Sequence, residues 1–487
     1  MTNPHLLIIG GGVAGLSAGC YGLRSGYRTT IVEHNRALGG VATAWQKGPY
    51  TIDGCIHWLT GGPFARIYED LGVIPAVPLH TLDTWLTYRD VRDGLEIPFT
   101  RDLDAFAARL TEVSKADADE IARLREACDQ FVRIQPPLDA PELSSLRERF
   151  RMFWDMRAAL GPLVHFRQPI GTWAQKHLKS ERLQRLFTRV LPETAPALFL
   201  LMVLGYLEHG FLSRPVGGTA AFRDALVGGF RKLGGNVLLD TTVEEVLVRN
   251  GRAAGVRVAD GSMIDADVVI STASAPETVL SLLGGRYDAE TTRERLEHWK
   301  LFDPIVLASY GVELPYREMP STLLIDGIAP FTLGGKLNDR LYLRVYNDDP
   351  CFAPAGHTVV QAMLSADYEF WATRGSQYGS EKERAGAQVL SQLEPHFPSI
   401  SSAVRMTDIA TPRTYWATAR AWRGAFEGWM PNSTSFFGHV SKTLCGLSGF
   451  YMAGQWVEPG GGIPTAAMSG RHAVQLACAD MQLTFAA

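Results

Sequence analysis

Residues 6–9 (LLII) form a short, unbroken apolar run that ends in three glycines. That is the pattern of a central parallel strand buried on both faces. Small residues follow and predict a helix over 14–25, ended by Gly26. A second strand, "YRTTIVE", then stops at Glu33. The same reading places a turn at Gly217-Gly218, an amphipathic helix over 219–233, and strands near 236–239, 243–249, 254–258 and 268–271. Near the C-terminus a strand ends at "AGQ", and a glycine-rich turn leads to a helix starting near Ile463-Pro464, where proline's missing N–H had no partner to lose.

Two insertions separate these segments. Residues 76–208 are rich in helical pattern, as in "RDLDAFAARLTEVSKADADEIARLREACDQFVRI", with Asp102 a candidate cap. Residues 284–438 show β character in "PIVLASYGVEL", "LYLRVY" and "HTVVQAML", then a helix at "EKERAGAQVLSQLEPHF". The longest apolar stretch, residues 195–207, falls short of the ~20 residues needed to cross a bilayer. It reads as a buried helix, or as one that docks on a membrane or lines a substrate cavity.

Gly10-Gly11-Gly12-Val13-Ala14-Gly15 supplies G-x-G-x-x-G between a strand and a helix. Gly10 permits the tight turn, Gly12 lets the backbone approach a pyrophosphate, and Gly15 lets helix and strand pack closely. Val13 and Ala14 open a helix whose free N–H groups and positive dipole end face the phosphates. Glu33, about twenty residues further on, suits ribose hydroxyls and disfavours a 2′-phosphate. These parts in this order indicate a bound dinucleotide, with His34 grouped among its contacts.

The continuation "HNRALGGVATAWQKGPYTIDGCIHWLTGG", with its Gly39-Gly40 pair and hairpin at "GPYTIDG", resembles the FAD-binding opening of the flavin amine oxidase and phytoene desaturase superfamily. Residues 213–274 and 449–478 are similar to the middle and C-terminal flavin segments of that family. Within it, the chain looks most like the phytoene desaturase-like group of carotenoid desaturases, carotenoid isomerases and retinol saturase. The segment "TPRTYWATARAWRGAFEGW" shares in that resemblance.

The resemblance implies an α/β fold: a Rossmann-like FAD lobe in three pieces (1–75, 209–283, 439–487) and a mixed α+β substrate lobe in two (76–208, 284–438). It places Val41, His57, Val243, Thr272, Ala273, Gly454, Gln455, Gly462, Ile463 and Pro464 beside the cofactor. Three departures stand out. Val41 replaces an arginine common in relatives, Gln455 replaces an acid, and "GCIHW" puts His57 and Trp58 where phytoene desaturases are usually apolar, closer to the retinol saturase-like branch. His57, Trp58 and Arg420 are therefore the candidate catalytic residues. His57 is either a proton donor or acceptor, or a histidine bonded to backbone.

Composition changes little in this picture. The chain has 487 residues with 46% hydrophobic and 20% charged content, and a net charge of -4 gives no electrostatic reason for a nucleic-acid partner. Six scattered cysteines without CxxC spacing read as free thiols, in a cytoplasmic protein with peripheral membrane contact as an added expectation. No metal site is expected. No second G-x-G-x-x-G with strand and acid appears, so O2, a quinone or the substrate itself must exchange electrons with the flavin. The expected activity is hydride transfer between flavin N5 and a carbon of an apolar, polyene or isoprenoid-like substrate. Amine oxidation on the same fold is the alternative, and a flavin-bound redox sensor a third.

Overall fold

Strand His5–Ile9 is buried at every position and sits at the centre of a five-stranded parallel sheet. The sheet order is Asn236–Leu238, Arg28–Val32, His5–Ile9, Val268–Ser271 and Phe450–Met452. The computed structural model describes residues 3–133, 138–155, 157, 160–432, 435 and 440–487. Alternation along the central strand decides what covers each face. Leu6 and Ile8 join the core under helices Val13–Arg24, Gly218–Lys232 and Ile463–Asp480, while Leu7 and Ile9 pack with Val246, Val256 and Val258 of the antiparallel meander over 243–265. Helices Val13–Arg24 and Ile463–Asp480 touch almost backbone to backbone: a Cβ on Gly470 would lie 2.4 Å from the Ala14 carbonyl. Ser17 Oγ donates to the Ala467 carbonyl at 2.6 Å in the same contact.

A seven-stranded sheet forms the second lobe, in the order Val404–Ala410, Ile305–Val312, Thr358–Ser365, Lys336–Tyr346, Thr322–Leu333, Thr84–Asp90 and Leu95–Thr100. Its pairs are antiparallel except Thr322–Leu333 with Thr84–Asp90. Val306, Ala308, Leu323, Leu341 and Leu343 pack with Ala385 and Val389 of helix Tyr378–Leu393, while the alternate residues Ile305, Leu307, Leu324, Arg340 and Tyr342 line a cavity facing the first sheet.

The 76–208 insertion carries the expected helices, including Leu103–Val113 and Ala118–Val132, with Asp102 Oδ1 accepting from Ala105 N–H at 2.9 Å. It also supplies the two strands Thr84–Asp90 and Leu95–Thr100. "LEIPFT" alternates buried and exposed positions with a period of two, the strand signature within a region read as helical. Helix Ala197–Glu208, from the long apolar stretch, has no exposed residue: most of it packs in the core, and Phe199 and Met202 face the cavity. That leaves no apolar face of this helix for a bilayer. Among the described residues no helix is long and apolar enough to cross a membrane.

Candidate functional site

A cavity of about 1140 Å³ lies between the two lobes. Every residue placed beside the cofactor or the chemistry from sequence lines it, except Gly15. Gly15 acts one layer behind: its Cβ would meet the Gly10 carbonyl at 2.0 Å, so only glycine lets helix Val13–Arg24 sit this close to the turn. Gly10 has φ +95°, and Thr272 Oγ1 donates to its carbonyl at 3.1 Å and to that of Ile9 at 2.9 Å. The glycine turn is thereby tied to the end of strand Val268–Ser271, which brings Thr272 and Ala273 to the cavity beside Gly12. Val243, at the start of the meander, lines the same half.

Glu33 does more than its spacing suggested. Its Oε2 accepts from Gly11 N–H at 2.7 Å, and Oε1 accepts from Asn35 N–H at 2.9 Å and lies 2.8 Å from His34 Nδ1. Burial alone would raise its carboxyl, but the bonds from His34, Gly11 and Asn35 outweigh it and hold the group below the usual carboxylate range. A carboxylate offers about four lone-pair sites, so these three contacts still leave room for a ribose hydroxyl. His34 Nε2 is buried with no partner among the described residues. Gly39 N–H donates to the Gly11 carbonyl at 2.9 Å, locking the Gly39-Gly40-Val41 turn onto the first glycine turn.

Two helix N-termini open into this cavity without a side-chain cap, Val13–Arg24 behind Gly12 and Ile463–Asp480 behind Gly462. Uncapped N–H groups with a positive dipole suit a pyrophosphate at one helix and an electron-rich carbonyl at the other. The residues present therefore fit FAD. Gly454 N–H donates to Ser469 Oγ at 2.7 Å, and Gln455 Nε2 donates to the Phe426 carbonyl at 2.7 Å, which fixes the loop that carries Glu427. Gly461 (φ +64°) makes that approach possible, since a Cβ there would fall 2.8 Å from Glu427 Cβ.

A loop held by Asp53 builds part of the remaining wall. Asp53 is buried and holds the following loop: its Oδ1 accepts from Cys55 N–H at 3.1 Å and Ile56 N–H at 3.3 Å, and its Oδ2 from Thr219 N–H at 2.8 Å. That loop presents His57 and Trp58. The His57 ring stacks on Tyr342, with centroids 5.7 Å apart and planes at 12°, and its nitrogens bond to no other described residue. The alternative of a backbone-bonded histidine is therefore not what the structure contains. Burial, with Arg344 and Arg214 nearby, lowers the His57 pKa to about 4, so the ring is neutral at neutral pH. Trp58 meets Trp85 edge to face at 5.7 Å. Arg420 is exposed at the rim over Trp416, just beyond Thr418, whose carbonyl accepts from Asn35 Nδ2. This places it beside the Glu33 end of the cavity.

Sequence reasoning passed over Glu427. It lines the cavity, forms no hydrogen bond or ion pair within the described chain, and is raised by burial to about 7. Its signal in the sequence is a single acid inside "GAFEGWM", an otherwise apolar and glycine-containing run. Outside the cavity, Glu120, His165 and His177 bring ligand-type atoms within 4.8 Å of one another. Glu120 there already accepts from Trp173 Nε1 at 2.8 Å and Arg123 Nη1 at 2.8 Å, and lies 2.7 Å from His165 Nε2.

Fold and cavity define a flavin-binding oxidoreductase built on two lobes. Residues 13–478 match the family described as flavin containing amine oxidoreductase, and the chain belongs to that family. It is 24% identical to prolycopene isomerase 2, chloroplastic, of an Oncidium hybrid cultivar, over 98% of this chain and 84% of that protein. It is likewise 24% identical to the lycopene-forming phytoene desaturase of Pseudescherichia vulneris, over 98% and 99% of the two chains. The solved structure of cyclohexylamine oxidase from Brevibacterium oxydans IH-35A shares the fold with a TM-score of 0.61 at 15% identity, covering 99% of this chain and 100% of that one. The protein is an FAD-dependent oxidoreductase.

Proposed function

We propose that the protein moves a hydride and a proton across a carbon–carbon bond of an apolar, polyene or isoprenoid-like substrate. The observation that carries this reading is the apolar part of the cavity wall. It is built from Phe64, Trp85, Phe199, Met202, Leu307 and Leu324, which bury an extended apolar molecule and exclude water. The carotenoid desaturases and isomerases among the relatives support it. Bound FAD would supply the two-electron acceptor or donor; O2 or a quinone would reoxidise it after a desaturation, a two-electron reductant would recharge it after a saturation, and a net isomerisation would return the electrons to the substrate. Gly12, Val13 and Ala14 hold the pyrophosphate, Glu33 the ribose, and Ile463 and Pro464 the flavin carbonyl edge. Arg420 serves the nucleotide end. The flat Tyr342–His57 stack orients the chain, and the Glu427 carboxyl gives or takes the proton on the adjacent carbon.

Amine oxidation, the activity named for the structurally similar cyclohexylamine oxidase, is disfavoured by the Arg340 guanidinium in the same wall, which has no ion-pair partner among the described residues and repels an ammonium group. Product analysis by mass spectrometry decides between them. A mass change of two hydrogens per bond, or altered geometry at unchanged mass, supports C–C chemistry, and a deaminated product overturns it.

Contact with a bilayer, if made, falls on a different surface from the long apolar stretch. Helix Leu146–Asp155 exposes Leu146 (85%), Phe150 (67%) and Trp154 (53%) at intervals of four, with Arg147, Arg149 and Arg157 beside them. An apolar stripe flanked by arginines on a chain of net charge -4 is the pattern of an interfacial helix. Flotation with anionic phospholipid vesicles tests this: Phe150→Ser/Trp154→Ser should abolish binding, and unchanged binding excludes the helix.

A further inference from the structure

Arg340, a cation in the cavity wall, has no ion-pair partner among the described residues. Arg340 lies on strand Lys336–Tyr346, directly opposite Asp326 of strand Thr322–Leu333. Asp326 pairs with Arg92 and with Arg189 Nε at 3.2 Å, and its Oδ2 accepts from Tyr88 OH at 3.0 Å, while its buried Oδ1 accepts no hydrogen bond from the described residues. Asp339, the neighbour in sequence, pairs with Arg189 Nη2 at 2.6 Å. Glu193 also lines the cavity but stays beyond ion-pair distance of Arg340. Among the described residues no carboxylate comes within 4.0 Å of the Arg340 guanidinium, and its one bond runs from Nη1 to the Arg189 carbonyl at 3.2 Å. Among the described residues the Nε–Nη2 edge, an edge that grips a carboxylate with two parallel bonds, has no partner.

Position matters as much as pairing. Arg340 precedes Tyr342 by two residues on the same face of the strand, about 6.6 Å along it. Tyr342 carries the stack with His57. Arg189, whose carbonyl accepts from Arg340 Nη1, comes from the helical insertion, as does Glu193, which lines the same cavity. Burial, with Arg189 close by, also lowers the pKa of the Arg340 guanidinium, so the site carries an electrostatic cost that an incoming anion relieves.

We propose that Arg340 is a headgroup site for a carboxylate, and that the substrate is an amphipathic polyene or isoprenoid acid whose apolar body runs from Arg340 past Tyr342 and His57. This rests on the reading that the cavity takes an apolar C–C substrate and narrows it to chains ending in an anion, which unsubstituted hydrocarbons lack.

The test uses the FAD-loaded protein, titrated anaerobically with three chain-matched ligands while the flavin absorbance is followed: an isoprenoid carboxylic acid, its methyl ester and the parent hydrocarbon. The acid should bind at least about tenfold more tightly than the ester, about 1.4 kcal/mol. Arg340→Met should erase that preference while leaving hydrocarbon affinity and flavin content unchanged, and Arg340→Lys should keep part of it. Equal affinity for acid and ester in the unaltered protein overturns the headgroup site and leaves the C–C reading standing. So does an Arg340→Met protein that loses hydrocarbon and acid binding to the same degree, because that marks a structural role. If none of the three ligands perturbs the flavin while amines do, the C–C reading itself fails and takes this site with it.

Discussion

Glu427 offers a perturbation whose sign can be worked out in advance. In the unfolded chain a glutamate titrates near 4.3, whereas burial raises Glu427 to about 7 in the folded protein. Between those values the native state binds more protons than the unfolded state, so stability falls as pH rises and the loss is complete above the folded value. The full difference amounts to ~4 kcal/mol, and cavity water around a partly accessible side chain reduces it to ~1–2 kcal/mol. Glu427→Gln keeps the shape and cannot ionise. Its thermal midpoint should therefore match that of the parent near pH 4 and exceed it near pH 8, an uncommon case of a site variant that stabilises. Turnover should move the other way. Loss of a general acid or base costs ~10²–10⁴-fold in rate, and the inflection near pH 7 in the rate profile should vanish. The assay is differential scanning fluorimetry across pH, paired with turnover. Equal midpoints at both pH values, or a turnover within about threefold of the parent with its inflection intact, would refute the reasoning.

The other predictions concern the cofactor half and its neighbour. Glu33 has a lowered carboxyl pKa, so its stabilisation is present above the unfolded value and lost as pH falls through the folded one. Glu33→Ala should shed FAD at neutral pH and lower the thermal midpoint, since two backbone N–H groups lose a buried acceptor at ~1–3 kcal/mol each; retained flavin at unchanged midpoint would contradict it. Gly461→Ala should displace the Glu427 loop and shift the rate inflection, measured as the pH profile of turnover, because no Cβ fits 2.8 Å from the Glu427 backbone carbonyl at φ +64°. His57→Gln should leave that inflection in place, because the ring it replaces is already neutral there. A lost inflection would make His57 the titrating group.

The nucleotide cradle was legible because its parts are contiguous. Strand, glycines, helix and acid follow one another over residues 5–33, and each constrains only its neighbours. The substrate wall is different. Arg340 and Tyr342 share a face by the two-residue period of "DRLYLRVY", but nothing in that stretch says which face meets a cavity. That depends on helix Tyr378–Leu393 covering the other side. Strands Thr84–Asp90 and Leu95–Thr100 pair with each other, but what joins them to the sheet is the pairing of Thr84–Asp90 with Thr322–Leu333, more than two hundred residues away, which nothing local announces. Glu427 was overlooked in favour of Arg420. Charge drew attention in that segment, yet Arg420 is exposed at the rim, while burial of the quiet acid is set only by the tertiary fold. The long apolar run at 195–207 is the buried helix its hydropathy suggests, with Phe199 and Met202 on the cavity; the membrane alternative stayed open in the sequence because hydropathy reports burial without saying whether protein or lipid provides it.

The central claim is that one cavity joins FAD to an apolar substrate undergoing carbon–carbon redox chemistry. Anaerobic exposure of the FAD-loaded protein, oxidised and reduced in turn, to matched polyenes, enones and amines tests it most directly. The account predicts that a polyene bleaches the oxidised flavin, or that a polyene or enone restores colour to the reduced one. Bleaching by amines alone would contradict it.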